Sequence, residues 1–159
     1  MSSVRIILLF SIIIIIAISC STSEKINDKS SFDVVQATVD AWFDLMPGPS
    51  PGRIHLQGKI KLANSSSEDI KNLSLKAITV HSNQEVIYNF KPYFKPIIKD
   101  DDYSLNTGIS KEFSFDTESG MKIDSNVEKI NVVDVKLNFT FDEDNFEYEI
   151  KDVEIKRVY

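Results

Sequence analysis

The sequence has one cysteine, two histidines, five glycines and one tryptophan in 159 residues. With Cys20 alone, no intramolecular disulfide can form, so the fold must stand without a covalent staple. Five glycines include no phosphate-cradling loop, and no Gly-x-Ser-x-Gly elbow occurs. Cations are also in short supply: 18 Lys and Arg face 24 Asp and Glu, a net charge of −6. Such a chain has no excess of cations for counterion release from nucleic acid, and no polybasic patch for anionic lipid. Nucleic acid is therefore excluded as an expected partner, and no cofactor is expected.

What the chain does have is an apolar leader. Val4 to Ile18 is apolar except for Arg5 and Ser11, and Ile12 to Ile16 is unbroken isoleucine. Ile6 to Ile18 is thirteen residues long. That fits the h-region of a secretory signal and falls short of the ~20 residues a membrane-spanning helix needs. Small residues Ala17 and Ser19 then precede Cys20.

Ala17-Ile18-Ser19-Cys20 resembles the lipobox of bacterial lipoproteins. The resemblance implies diacylglyceryl transfer to the Cys20 thiol and cleavage before it. It departs from the commonest pattern at Ala17, where leucine is usual, and at Ile18, where a smaller residue is usual. Two acyl chains give a stable anchor where one is marginal. Loss of residues 1–19 removes one charge, Arg5, and makes the remainder more acidic. Two other readings of the segment stay open: an uncleaved anchor, or an ordinary signal peptide cut nearby. All three place the rest of the chain outside the cytoplasm. The residue after Cys20 is serine rather than aspartate, which in a cell with two membranes implies the outer one.

The expected organisation is a leader over 1–19, a lipidated cysteine and polar tether over 20–32, and one domain over 33–159. In the last, period-two alternation dominates, the mark of half-buried strands. Val35, Ala37, Val39, Ala41 and Phe43 form one apolar face; Ile54, Leu56, Gly58, Ile60 and Leu62 form another. Further strands are expected at Leu73–Val80, where the phase drifts toward Ile78 and Val80, and at Val86–Phe90, Ile109–Phe115 and Val133–Phe141. Lys91–Gly108 reads as a crossover loop with a short strand at Tyr93–Ile98. If Asp142 to Asn145 form a loop, Phe141 faces Phe146, Phe139 faces Tyr148 and Leu137 faces Ile150. The apolar phase slips before Val153 and Ile155, which predicts a β-bulge near Lys151-Asp152.

About seven strands without an amphipathic helix predict an all-β, antiparallel immunoglobulin-like sandwich. Gly58 to Ser65, followed by Asp69 to Leu75, resembles the strand–Asn–turn–strand core of FxLYD and LEA14-like sandwiches, although the Phe-x-Leu-Tyr-Asp signature itself is missing. The resemblance implies a fold and no reaction.

Few residues are candidates for chemistry. His55 and His81 have no metal-ligand spacing and read as surface histidines. Met46 and Met121 lie outside any Met- or His-rich run and read as edge-of-core packing. Asp100-Asp101-Asp102 and Asp142-Glu143-Asp144-Asn145 could supply oxygen ligands to calcium, but they lack the EF-hand spacing and read as solvated turns. The expected domain is thus not an enzyme and has no metal site.

Trp42 falls on the polar face of its strand, either exposed for binding, covered by the Pro47–Gly52 loop, or rotated inward by strand twist. Phe90-Lys91-Pro92-Tyr93-Phe94 poses the same choice. Trp42, Tyr93 and Phe94 are therefore the candidate binding residues, and a protein or glycan of the cell envelope is the expected partner beside the membrane. Two other functions stay open: structural assembly through edge strands, and a calcium- or metal-dependent enzyme or sensor.

Overall fold

A computed structural model describes residues 32–47, 52–99, 101–142 and 144–159. The leader, Cys20 and the rest of the tether up to residue 31 lie outside the described residues. The described chain is all-β and contains no helix.

Its strands are β1 Phe32–Asp44, β2 Arg53–Asn64, β3 Ser74–Ser82, β4 Glu85–Phe90, β5 Tyr93–Pro96, β6 Ser110–Asp116, β7 Met121–Lys122, β8 Val132–Phe141 and β9 Asp144–Val158. They pair in the order β4-β3-β8-β9-β1-β2-β6-β5, with β7 against β2. The sheet is mixed, curled into a half-barrel. Its two ends, β4 and β5, are consecutive in the chain and joined by Lys91-Pro92.

Among the described residues there are nine strands rather than seven, and one pair is parallel: Ala41–Asp44 against Ile155–Val158. The bulge expected at Lys151-Asp152 is present. There two β9 residues oppose Asp134 alone, Asp152 adopts φ 57°, and its N–H donates to Asp134 Oδ1 at 3.1 Å. Past the bulge β9 stays on β8 through the pair of Val132 and Glu154, Ile155 N–H still donates to Asn131 O at 2.8 Å, and the last residues of β9 take β1 on their other side. Alternation reports which face a residue takes; it does not report the direction of the neighbouring strand.

Two other expectations are corrected by local irregularity. The β1 register shifts between Val34 and Gln36, so Val34 packs on the core and Val35 is 56 % exposed. The β8–β9 hairpin is tighter than expected, with Phe141 opposite Asp144. Phe139 then faces Phe146, Leu137 faces Tyr148 and Val135 faces Ile150. Asp142 makes the tight turn possible by taking φ 49°, a conformation Asp tolerates better than most residues. The phase drift in β3 has the same kind of origin, a register shift between Leu75 and Ala77 against β8.

The core is formed by Phe43, Ile54, Leu56, Ile60, Leu62, Phe113, Phe115, Val135, Leu137 and Phe139, all buried. Each contributes roughly 1.5–3 kcal/mol of transfer free energy. Gly58 shows how tightly β2 and β6 pack. A Cβ there would lie 2.9 Å from Phe115 Cε1 and would press on the Thr38 carbonyl oxygen, so the Phe115 ring fills the space the glycine leaves.

Asn64, 2 % exposed at the end of β2, organises the turn that follows. Its Nδ2 donates to Glu68 O at 2.7 Å and to Leu105 O at 2.8 Å, while Oδ1 accepts from Ser66 N–H and Ser66 Oγ. One buried amide thereby ties β2, the 64–70 turn and the segment before β6 together.

Candidate functional site

Trp42 sits on the outer face of β1 between His55 of β2 and Lys156 of β9. Its ring stacks on His55 with centroids 5.3 Å apart and planes 10° from parallel. Behind His55 lies the turn at Gly120, where an added Cβ would come 2.7 Å from His55 Cε1. Arg53 holds that turn in place, its Nη1 donating to Ser119 O at 3.1 Å and Gly120 O at 3.2 Å. Trp42 is thus half-buried, and part of its cover comes from His55. Partial burial pushes the His55 imidazole below its ordinary pKa; the Asp44 carboxylate opposes this and Arg53 adds to it.

Tyr93 and Phe94 are adjacent on β5 and point opposite ways. Tyr93 is 51 % exposed, with Lys95 Nζ 5.4 Å from its ring centroid. Phe94 is 8 % exposed and stacked on Phe113 at 4.8 Å, with Phe139 of β8 at 6.0 Å edge-on. Its side chain is core; what it presents to the surface is backbone.

Trp42 and Tyr93 do not share a patch. Tyr93 pairs with Asp116, Asp116 with Gln57, and Gln57 with Asp40 on β1. Three strand spacings, roughly 14 Å, therefore separate β5 from β1.

Tyr93 instead borders a groove of about 440 Å³ lined by Asn72, Leu73, Ser74, Leu75, Pro92, Tyr93, Phe94 and Tyr103. Four consecutive residues line one side and three the other. Strand faces show alternate residues; edges show consecutive ones. The groove is therefore a gap between the edges of β3 and β5. Alternation within each strand made the two aromatics legible, but the groove needs β3 and β5 brought side by side, and no local pattern reports that.

The remaining candidates have partners of their own. His81 Nε2 lies 3.1 Å from Thr79 Oγ1. Lys111 Nζ meets both Asp101 Oδ1 and Asp102 Oδ1 at 2.8 Å. With the Lys111 ammonium and Ser104 donating to it, the Asp102 carboxyl is pulled down to about 2. Asp142 Oδ2 accepts from Lys71 N–H at 3.2 Å, docking the hairpin turn on the segment before β3. Met46 and Met121 are exposed rather than packed at the core edge. Among the described residues, no three His, Cys, Asp or Glu side chains converge in a way that could hold a metal ion.

No protein-family model and no curated protein sequence matches the chain. A solved structure described as the Iho670 flagellar-like filament is similar over 95 % of this chain and 98 % of that one, at 11 % identity and a TM-score of 0.37. At that TM-score the likeness bears on neither fold nor function.

Proposed function

We propose that the chain is a lipoprotein, anchored through acylated Cys20 outside the cytoplasm, whose β domain is a non-catalytic binding or accessory module of the cell envelope. The observation that carries this reading is the thirteen-residue run from Ile6 to Ile18, apolar but for Ser11, which closes two positions before the only cysteine. A polar stretch, Ser21 to Ser31, follows and gives the domain reach from the membrane. In a cell with two membranes, Ser21 favours the outer one.

We also read the curled sheet as a variant of the immunoglobulin-like sandwich. Support comes from Phe94 of β5 meeting Phe139 of β8 across the interior at 6.0 Å. The hub at Asn64 fits the strand–Asn–turn–strand resemblance to FxLYD and LEA14-like domains.

Assembly through the β5 edge is disfavoured by Pro96, which has no N–H, and by the Tyr103 hydroxyl on Phe94 O. The anchored-module reading is tested by mass spectrometry of the membrane-extracted protein beside a Cys20→Ser variant. Acylated protein beginning at Cys20, and loss of the lipid in the variant, are expected.

A further inference from the structure

We propose that the groove between β3 and β5 binds an extended acidic peptide by strand addition to the free edge of β3. This rests on the binding-module reading and gives the partner its chemistry.

The edge is defined by where the ladders stop. β4 pairs with β3 only from Ile78 onward, whereas β8 pairs from Ser74. Leu73 N–H donates to Tyr103 O at 3.0 Å, on the side away from β8. Two residues on, Leu75 turns its N–H and C=O the same way, into the groove it lines. Among the described residues, no backbone hydrogen bond crosses from Ser74–Ala77 to β5.

The opposite wall cannot fill that role. Ile97 N–H donates to Glu112 O at 3.0 Å, so Tyr93, Lys95 and Ile97 bond toward β6 and Phe94 points away. Phe94 O already accepts the Tyr103 hydroxyl at 3.0 Å, and Pro96 has no N–H. β5 is therefore a blunted wall that supplies aromatic surface, and β3 is the pairing edge.

Charge selects the occupant. The whole chain is acidic, yet Lys71 and Lys91 directly precede the lining residues Asn72 and Pro92, Lys95 Nζ lies 5.4 Å from the Tyr93 ring, and all three lysines are exposed and form no salt bridge among the described residues. Of the neighbouring carboxylates, Asp101 and Asp102 are ion-paired with Lys111, whereas Asp116, Asp69 and Asp142 keep their charge and are fixed in place by the N–H groups of Glu118, Thr107 and Lys71. Alternating side chains of a bound strand place one set beside Phe94 and Tyr103 and the other on the face that Tyr93 shares with Lys95.

The test uses the full chain in detergent and three probes: an eight-residue peptide alternating glutamate and valine, its lysine–valine counterpart, and an acidic oligosaccharide. The acidic peptide is expected to bind and to slow amide exchange at Leu75. Reversing the exposed lysines with Lys91→Glu and Lys95→Glu together is expected to weaken it at least tenfold. No slowing at Ser74–Ala77, tighter binding of the lysine peptide, or indifference to charge reversal would overturn the proposal. So would binding of the oligosaccharide in place of the acidic peptide. The mass of the N-terminal fragment from the same preparation reports acylation of Cys20 separately, so failure of the groove and failure of the anchor are told apart.

Discussion

The hydroxyl of Tyr103 donates to the carbonyl oxygen of Phe94 at 3.0 Å, on the edge of β5 turned away from β6. This bond and Pro96 leave β5 with little to offer a second strand. Replacing both, with Tyr103→Phe and Pro96→Val, restores an acceptor and a donor to that edge. The double variant is expected to self-associate in size-exclusion chromatography at concentrations where the parent chain does not. Identical elution of the two proteins would show that these residues do not guard the edge.

Asn64 satisfies two carbonyls and a serine from inside the fold. Asn64→Ala leaves those groups without their partner and is expected to cost about 2 kcal/mol in denaturant unfolding. Asn64→Asp sets a carboxylate against Glu68 O and Leu105 O and is expected to cost about 3 kcal/mol or more at neutral pH. The aspartate's folded pKa would be raised, so its penalty eases as pH falls and the carboxyl takes a proton. A loss that is independent of pH would contradict the assigned hydrogen-bond directions.

His55 titrates below its ordinary value of 6.5 because burial in the Trp42 stack disfavours the imidazolium. A depressed folded pKa means that its contribution to stability is intact above 6.5 and is lost as pH falls below it. Trp42→Ala opens the ring to water and is expected to move the midpoint upward. Proton NMR of the His55 ring checks this, and an unchanged or lower midpoint would sink the desolvation account.

Lys111 holds Asp101 and Asp102 together at the base of the 97–104 loop. The Asp102 carboxyl, depressed to about 2, contributes stability above the ordinary carboxylate range and loses it as pH falls toward 2. Lys111→Met is expected to return the midpoint upward toward 3.8. Carboxyl carbon shifts followed through a pH titration measure it directly. Retention of a midpoint near 2 would assign the shift to Ser104 alone.

Much of the sheet was legible from alternation. The strands of the apolar faces, the short strand near Tyr93 and the bulge at Lys151-Asp152 all follow from where period two holds and where it slips. The tight β8–β9 turn was not legible, since four polar residues read as a loop until Asp142 is seen to adopt a left-handed conformation. Its effect was a register shift of two residues, which leaves every side chain on its expected face. Tyr93 and Phe94 held an unused signal: neighbours on a strand point oppositely, so only one could be exposed. The lone parallel pair and the β3–β5 groove depend on contacts distant in sequence, where alternation is silent.

The N-terminus of the native protein decides whether the chain is anchored through Cys20. Intact mass and fragmentation of material extracted from membranes should show a chain that begins at Cys20 with a diacylglyceryl group on its sulfur. A chain that begins at Met1 and bears no fatty acid would contradict it.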